Sequence, residues 1–295
     1  MFTTFIRFIK RIRQLINKPD FRRNPIIALY KRFMWRLRWK IRKEPWVLHL
    51  SDGRTIAVPQ SGSGALIYYM GCSEPELTAF LKRILKPGMI FFDVGAHIGE
   101  YVIVGATTVA PNGEVHAFEP DERNFNLLQN NVKMNNLSNV VLNFTAVYEE
   151  NTTLELIQTQ EPSTSHIASN SLIETGSFQT VKAITLDSYK NNKGIDRVDV
   201  LKIDVEGAEL FVLRGAETLL DKPKGKAPIV IFEYSQANCQ RFGYHPDDII
   251  KFLKSKGYTI WVLKEKGTLE RLSSALLPGP KHHINLVAIK NTNVR

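Results

Sequence analysis

The sequence contains little cysteine. Only Cys72 and Cys239 occur among its 295 residues, and no C-x-x-C pair is present. A zinc site or a disulfide framework needs cysteines in closer groups, so we expect neither. Two isolated cysteines are typical of a protein from a reducing compartment, and we therefore expect a cytoplasmic location.

Long apolar runs are also missing. No stretch approaches the ~18 consecutive apolar residues that a transmembrane helix needs. Residues 1–16 are interrupted by Lys or Arg every few positions, which excludes the apolar core of a secretory signal peptide. An Arg-rich, acid-poor organellar transit peptide stays open as an interpretation of the first twenty residues.

Acidic residues are scarce at the N-terminus. Residues 1–44 hold 14 Lys or Arg and two acids, a net charge of +12, whereas the remaining 25 basic and 27 acidic residues give −2. The overall charge of +10 is therefore a local property of the N-terminus. The near-neutral body does not favour a broad nucleic-acid-binding surface.

The basic extension 1–45 contains two blocks with an amphipathic pattern. In residues 1–16 and again in 28–43, apolar and aromatic residues recur at helical spacing among the cations. One interpretation is peripheral contact of residues 1–43 with an anionic membrane surface. The other is a helix that docks its apolar face on the folded domain, with its charges merely solvated.

The rest of the chain alternates strand-like apolar runs with helical patterns. The predicted strands are 89–93, 114–118, 139–146, 198–203, 228–233, 258–263 and 285–290, and the predicted helices are 98–109, 122–135, 207–220 and 246–256. This alternation predicts an α/β fold, doubly wound, with a mostly parallel sheet that helices cover on both faces.

Three further segments complete the predicted organisation. Residues 46–72 alternate strand-like runs with turn signals, which indicates a small β lead-in. Ser73-Glu-Pro-Glu76 has the spacing of a capping box and predicts a helix through about Leu85, at the start of a main domain 73–295. The polar segment 158–178 predicts a long loop at the carboxyl edge of the sheet, where substrate loops lie.

Glycine spacing favours one class of cofactor. An apolar run ends at Asp93, the turn Gly95-Ala96-His97-Ile98-Gly99 follows, and the next apolar run ends at Glu119. This pattern is typical of a nucleotide-type cofactor site at the switch point of a doubly wound sheet. However, the spacing is not G-x-G-x-x-G, and an acid two residues before the first glycine would repel the pyrophosphate of NAD. The turn suits the cationic amino-acid part of S-adenosyl-L-methionine (SAM) instead.

A second group of acids follows the predicted strand 198–203. Asp204 ends this strand, and Glu206 and Glu209 lie three residues apart at the start of the next helix. Their carboxylates could hold a substrate hydroxyl, act as a general base or bind a divalent ion. Alternatively, the two glutamates only stabilise a helix N-terminus. For Glu233, after the next strand, a functional role and a structural hydrogen bond are equally open.

Several motifs together resemble the FkbM-type methyltransferase family. They are Asp93-Val-Gly-Ala-His-Ile-Gly99, Phe118-Glu-Pro120, Thr185-Leu-Asp187, Lys202-Ile-Asp-Val-Glu-Gly-Ala-Glu209 and Glu233, and the resemblance covers roughly residues 65–265. It implies a SAM-dependent enzyme with the seven-stranded class I, Rossmann-like fold that typically methylates hydroxyl oxygens. The implied acceptors are sugars, polysaccharide or glycolipid building blocks and polyketide-type natural products. One departure is His97, where the family usually has Asn.

These patterns predict which residues bind the cofactor and which act in catalysis. They assign no residue to a metal. We expect the cofactor to contact four residues of the turn, namely Gly95, Ala96, His97 and Gly99, and three acids at strand ends, namely Asp93, Asp204 and, at the ribose, Glu119. Pro120 and Ala146 are expected near the adenine. The candidate catalytic residues are Asp204, Glu206, Glu209 and, in the polar loop, His166. Metal dependence stays open.

Two other classes of protein are alternatives. A nucleic-acid methyltransferase would fit the basic N-terminus, but base-amino methyltransferases carry an Asn/Asp-Pro-Pro-aromatic motif where this chain has Asp204-Val-Glu-Gly. Clustered acids also do not suit a polyphosphate ligand. A non-enzymatic membrane-associated protein would be expected to show a degraded cofactor turn, and here the turn is intact.

Overall fold

The computed structural model of the chain describes residues 16, 18–159, 165–168, 177–277, 279 and 282–290. The chain divides into two compact units, Met1–Ser73 and Glu74–Arg295. The first amphipathic block, residues 1–16, lies outside the described residues except for Ile16.

The described part of the first unit contains the helices α1 (Pro19–Arg23) and α2 (Pro25–Ile41). Helix α2 starts where the Asn24 side chain accepts a hydrogen bond from the Ile27 N–H at 3.1 Å, and Pro25 follows in the first turn, where no backbone donor is needed. One face of α2 buries Ala28, Trp35 and Trp39. Within the described part of the chain, no helix is long and apolar enough to cross a membrane.

The predicted β lead-in is only half correct. Strands β1 (Trp46–His49) and β2 (Thr55–Val58) form an antiparallel hairpin, but the next segment is a helix, α3 (Gly62–Met70). Ser61 caps this helix by accepting the Gly64 N–H at 3.0 Å. A Cβ at Gly64 would lie 2.6 Å from the Pro59 carbonyl oxygen, so this glycine permits close packing and does not mark a turn.

The second unit is built on an eight-stranded sheet. In spatial order its strands are β13 (Leu269–Arg271), β12 (Thr259–Leu263), β14 (His283–Ile289), β11 (Ile229–Ser235), β10 (Val200–Ile203), β3 (Ile90–Val94), β4 (Glu114–Phe118) and β5 (Val140–Asn143). The strands from β11 to β5 are parallel, and β14 is antiparallel to both of its neighbours. The predicted doubly wound α/β fold is confirmed. The sheet has one strand more than the predicted seven, because β13 pairs with the edge strand β12.

Helices cover both faces of this sheet. They are α4 (Pro75–Ile84), α5 (Glu100–Val109), α6 (Glu122–Met134), α7 (Leu186–Asn192), α8 (Glu209–Arg214), α9 (Glu217–Leu220), α10 (Gln236–Arg241) and α11 (Asp247–Ser255), with single 3-10 turns at Glu265–Gly267 and Ser274–Leu276. Helices α4, α5 and α6 pack on one apolar core with Phe91 and Val115, and α7, α8 and α11 pack on another with Phe92 and Ile203. The two cores lie on opposite faces because successive side chains of a strand alternate.

The predicted capping box at the start of α4 is wrong. The N-cap residue is Glu74, not Ser73, and its side chain makes no capping hydrogen bond. Instead the Glu74 carboxylate accepts hydrogen bonds from the Tyr101 hydroxyl at 2.6 Å and from the Asn285 amide nitrogen at 2.7 Å. These tertiary partners take the side chain away from the helix terminus.

A second sheet includes five residues of the segment 158–178 that was predicted as a loop. Its strands are β6 (Ala146–Val147), β9 (Ser177–Ile184), β7 (Thr152–Gln158) and β8 (His166–Ile167), in spatial order. The loop prediction is therefore wrong at both ends of 158–178 and at β8, where the buried Ile167 contributes to a small apolar core with Leu156. Residues 160–164 and 169–176 lie outside the described residues.

Candidate active site

Four acidic residues meet at the carboxyl edge of the main sheet. Asp93 lies in β3, Glu119 follows β4, Asp204 follows β10 and Glu233 lies near the end of β11. Since these strands are parallel and adjacent in the sheet, their carboxyl ends lie side by side. The expected grouping of Asp93, Glu119 and Asp204 is thus produced by the topology.

The turn after β3 packs tightly on the neighbouring strand ends. The N–H groups of Gly95 and Ala96 both donate to the Phe118 carbonyl at 3.0 Å. Gly95 has φ +77°, and a Cβ there would lie 1.8 Å from the carbonyl oxygen of Asp204. Only glycine fits this position, and the group that requires it is the protein's own backbone at Asp204.

His97 and Glu119 fix the next part of the turn. His97 has a left-handed backbone, φ 50°, a conformation that His and Asn adopt more readily than most residues. Its N–H donates to Glu119 Oε2 at 2.7 Å, and the Asp121 N–H donates to Glu119 Oε1 at 2.9 Å. The replacement of Asn by His is therefore compatible with the turn, whose anchor is the carboxylate of Glu119. Burial raises the pKa of Glu119 to about 7, against the opposing effect of these two hydrogen bonds.

A buried lysine lies behind the acids. Lys202 is in register with Asp93 on the adjacent strand, and its Nζ lies 3.3 Å from Asp93 Oδ1 and 3.3 Å from Asp204 Oδ2. Burial alone would lower the pKa of Lys202, but the carboxylates of Asp93, Asp204 and Glu74 raise it, so this lysine is a cation. Asp93 is fully buried, with 0% exposure. Asp93 thus faces Lys202 within the protein, and its predicted contact with the cofactor stays a prediction.

Two glutamates share one amide donor at the outer part of the site. The Asn238 side-chain nitrogen donates to Glu206 Oε2 and to Glu233 Oε2, both at 2.9 Å. Glu206 also has a left-handed backbone, φ 56°, which is uncommon for this residue type. The carboxylate of Glu209 is used differently, because it accepts the N–H groups of Val205 and Gly207 at 3.1 and 3.2 Å. Glu209 therefore holds the turn itself.

Burial and the charges of neighbouring acids raise the pKa values of these glutamates. Burial, followed by the charges of Asp204 and Glu209, raises the pKa of Glu206 to about 8. Burial and the same neighbours raise the pKa of Glu233 to about 9, and burial raises that of Glu209 to about 7. The site thus offers both hydrogen-bond donors and acceptors to a hydroxyl group.

The remaining predicted residues lie on the Glu119 side of this edge or in the second sheet. The Pro120 carbonyl accepts from the Gln179 side chain at 3.2 Å, and Ala146 is buried in β6. His166 is buried in β8 and not in a loop, so its predicted position was wrong. Its neighbour Ser165 donates to Asp121 Oδ2 at 2.8 Å, which places β8 beside Asp121. A substrate-contacting role for His166 stays a prediction.

Sequence reasoning missed Lys202, Asn238 and Glu74. The signal for Lys202 was a lysine inside an otherwise apolar buried strand, Val200–Ile203, since lysine is rarely buried without a partner. Asn238 and Glu74 carried no comparable signal, because Glu206 lies 32 residues from Asn238 and the partners of Glu74 lie 27 and 211 residues from it.

The acidic side chains of the site fit SAM better than a phosphate-rich ligand. Glu119 accepts the N–H groups of His97 and Asp121 and a side-chain hydrogen bond from Asn124, and its carboxyl group lies at the end of β4, where it could also accept a ribose hydroxyl. Asp204 is partly exposed, with 34% of its side chain accessible, and offers a carboxylate to a cationic amino-acid part. Within the described ranges, no group of three or more His, Cys, Asp or Glu side chains is arranged to hold a metal ion.

Fold and site together define a Rossmann-like protein with the strand order of class I methyltransferases. A family model described as "Methyltransferase FkbM domain" matches residues 93–260, so the chain belongs to the FkbM methyltransferase family. This confirms the family resemblance drawn from the motifs. It also confirms the predicted cofactor, SAM, on which the family depends.

Individual relatives are distant. The chain is 27% identical over 199 residues to 31-O-demethyl-FK506 methyltransferase FkbM of Streptomyces tacrolimicus, which covers 58% of this chain and 75% of that protein. It is 27% identical over 143 residues to Methyltransferase 1 of Beauveria bassiana (strain ARSEF 2860), covering 42% of this chain and 57% of that protein. A crystal structure of Methyltransferase FkbM from Methylobacillus flagellatus KT aligns with TM-score 0.45 and 16% identity. The alignment covers 77% of this chain and 54% of the Methylobacillus chain.

Proposed function

We propose that this chain is a SAM-dependent O-methyltransferase that acts on a hydroxyl group of a sugar, a glycolipid or polysaccharide, or a natural product. The observation that carries the proposal is the cluster of Asp204, Glu206 and Glu233 beside the cofactor turn of an FkbM-family chain. The name of the Streptomyces relative, 31-O-demethyl-FK506 methyltransferase FkbM, supports transfer to an oxygen.

The residues around the turn would hold the cofactor. Glu119 would accept the ribose hydroxyls, and Asp204 would face the charged amino-acid part, with Lys202 fixing the Asp204 carboxylate from behind. When bound, SAM supplies a methyl group that a positively charged sulfur has already activated. The task left to the protein is to orient the acceptor and to remove its proton.

Glu206 is our choice for the general base. An alcohol is a poor nucleophile, so a base must take its proton as the new bond forms. A pKa of about 8 lies near a physiological working pH, which favours proton transfer. Asn238 orients the Glu206 carboxyl through its hydrogen bond at 2.9 Å. Glu209 is less suitable, because its carboxylate already holds two backbone N–H groups.

A pH–rate profile tests this assignment. Because Glu206 acts when ionised, kcat/KM should rise with pH and level off above about 8. The Glu206→Gln variant should lose that rise and about 10²–10⁴-fold in kcat. Glu217→Gln, at an exposed residue of α9, is the matched control. SAM affinity should be equal in all three proteins, and a Glu206→Gln enzyme with the full pH rise would refute the assignment.

The acceptor class needs a separate experiment. Incubation with radiolabelled SAM and with glycan, lipid and RNA fractions should place the label in a glycan or lipid hydroxyl. Label in RNA would overturn the proposed substrate class in favour of a nucleic-acid methyltransferase. The predicted cytoplasmic location and the predicted peripheral membrane contact of residues 1–43 are not needed for the chemistry and stay predictions.

A further inference from the structure

The outer face of α2 carries an unusual apolar stripe. Ile26, Leu29, Tyr30, Phe33 and Ile41 are exposed by 79%, 55%, 59%, 62% and 70%. Their spacing of three, four, seven and fifteen residues from Ile26 places them on one side of a helix. Contiguous exposed apolar side chains of this size are rare on a soluble protein surface and indicate an interaction site.

The apolar core of the first unit uses the other face of α2. The opposite face of α2 buries Ala28, Trp35 and Trp39. Trp35 stacks on Tyr68 of α3 and on Trp46 of β1, with ring centroids 5.8 and 6.1 Å apart. The inner face thus supplies the apolar contacts of the unit, and the outer face is a second apolar surface on the same helix.

The charges around the stripe are predominantly positive, although an exposed acid, Glu44, follows Lys43. Helix α2 contains five Lys or Arg and no acid, and Arg36 and Lys40 are exposed on it. Arg22 and Arg23 precede the helix and Arg42 and Lys43 follow it, all of them exposed. The nearby Asp20 forms an ion pair with Arg32 and is largely buried, so it does little to offset this field. The surface is therefore complementary to an anionic partner.

We infer that the outer face of α2 binds the surface of an anionic lipid bilayer. At 17 residues the helix is about 25 Å long and can lie in the plane of the interface. Its apolar stripe would enter the boundary between headgroups and acyl chains, and the flanking cations would remain at the anionic headgroups. A nucleic acid would satisfy the cations but offers no apolar interior for the side chains of Ile26, Leu29 and Phe33.

Vesicle flotation of the full chain tests the proposal. The test variant is Leu29→Gln/Phe33→Gln, which removes apolar area without changing the net charge and keeps a good helix former. The matched control is Val47→Gln, at a residue of the same unit that is 42% exposed but lies in β1. Vesicles of pure phosphatidylcholine and vesicles with about 30% phosphatidylserine separate apolar from electrostatic binding.

The expected result is binding of the natural chain to the anionic vesicles, with at least ~10-fold weaker binding to neutral ones. Leu29→Gln/Phe33→Gln should lose ~10-fold or more, and Val47→Gln should bind like the natural chain. Circular dichroism should show equal helix content in all three.

Three results would each overturn the proposal. The first is equal flotation of the natural chain and the double variant. The second is absence of flotation for the natural chain, with binding of an RNA oligonucleotide that the double variant retains. The third is a concentration-dependent dimer that the double variant abolishes without any effect of lipid, which would make a second copy the occupant of this face.

Discussion

At the scale of single residues, Lys202 is the centre of the electrostatics of the site. It is buried to 2% exposure among three carboxylates, and its Nζ also lies 5.1 Å from the ring centroid of Tyr101. A cation in this position offsets the repulsion between Asp93, Asp204 and Glu74. Stability and site geometry therefore depend on the same side chain.

We predict that Lys202→Met destabilises the protein by roughly 3–5 kcal/mol, because it leaves buried carboxylates without a counter-charge. Urea denaturation measures the effect. The double variant Asp93→Asn/Lys202→Met should recover part of the loss, since it also removes one of the unpaired charges. Lys251→Met, at an exposed ion pair with Asp248, is the control and should unfold like the natural chain. Equal midpoints for both lysine variants would contradict the prediction.

A substitution at Glu119 tests the predicted contact with the cofactor. Glu119→Gln keeps the shape of the side chain but removes the charge-assisted acceptor for the ribose, so the Kd for SAM should rise about 10–100-fold. Isothermal titration calorimetry measures it. Glu122→Gln changes an exposed acid three residues further on and should leave the Kd unchanged. An unchanged Kd in Glu119→Gln would count against the proposed cofactor contacts.

At the scale of elements, the turn between β3 and α5 is the least tolerant part of the site. We predict that Gly95→Ala costs about 3 kcal/mol or more and abolishes SAM binding, because its Cβ would collide with the Asp204 carbonyl. Gly257→Ala is a matched control with a similar φ, +82°, and no atom within 4 Å of the added Cβ. It should cost only about 1 kcal/mol from backbone strain, measured by thermal unfolding. Similar losses for the two variants would show that the collision is unimportant.

The raised pKa values of Glu206, between β10 and α8, and of Glu233, near the end of β11, lead to a prediction about stability and pH. In the unfolded chain, glutamates ionise near pH 4.5, whereas the folded pKa is about 8 for Glu206 and about 9 for Glu233. The folded state therefore holds protons that the unfolded state has released, so stability falls as pH rises through this window. Arg241 partly opposes the effect on Glu206.

Between pH 6 and 9 each of these two glutamates should lower the free energy of unfolding by roughly 2–4 kcal/mol. In the variant Glu206→Gln/Glu233→Gln the slope should become much shallower, as urea titrations at each pH would show, and the part that remains belongs to Glu119 and Glu209, whose pKa values are about 7. Glu150→Gln/Glu217→Gln, at two exposed acids, should keep the slope of the natural chain. Parallel slopes for all three proteins would mean that the two buried glutamates do not titrate in this range.

The elements also show which parts of the fold were predictable. The central strands were predicted within a few residues, because buried parallel strands are continuous apolar runs. Helix α3 was missed because Gly64 was interpreted as a turn residue, whereas in the structure it permits the close approach of the helix to Pro59. Strand β8 was missed because two residues are too few to show the alternating pattern of a strand. Its buried position depends on pairing with β7, which is distant in the sequence.

At the scale of the whole molecule, the sequence showed which acids belong to the site but not which groups each of them contacts. Motif spacing placed Asp93, Glu119 and Asp204 at one edge, because parallel strands end together. It could not show that Asp93 pairs with Lys202, since this contact depends on the register of β3 and β10. Nor could it show that Glu209 is occupied by its own turn.

The uneven distribution of charge leads to a last prediction, about salt. Residues 45–295 carry a net charge of −2, whereas residues 1–44 carry +12. Raising the NaCl concentration from about 50 to 300 mM screens exposed charges, so binding to anionic vesicles should fall more than ~10-fold. SAM contacts in the partly buried site are screened much less, and its Kd should change less than ~2-fold. Flotation and calorimetry on the same protein preparation measure both quantities. If salt weakened vesicle binding and SAM binding to the same extent, this prediction would be wrong.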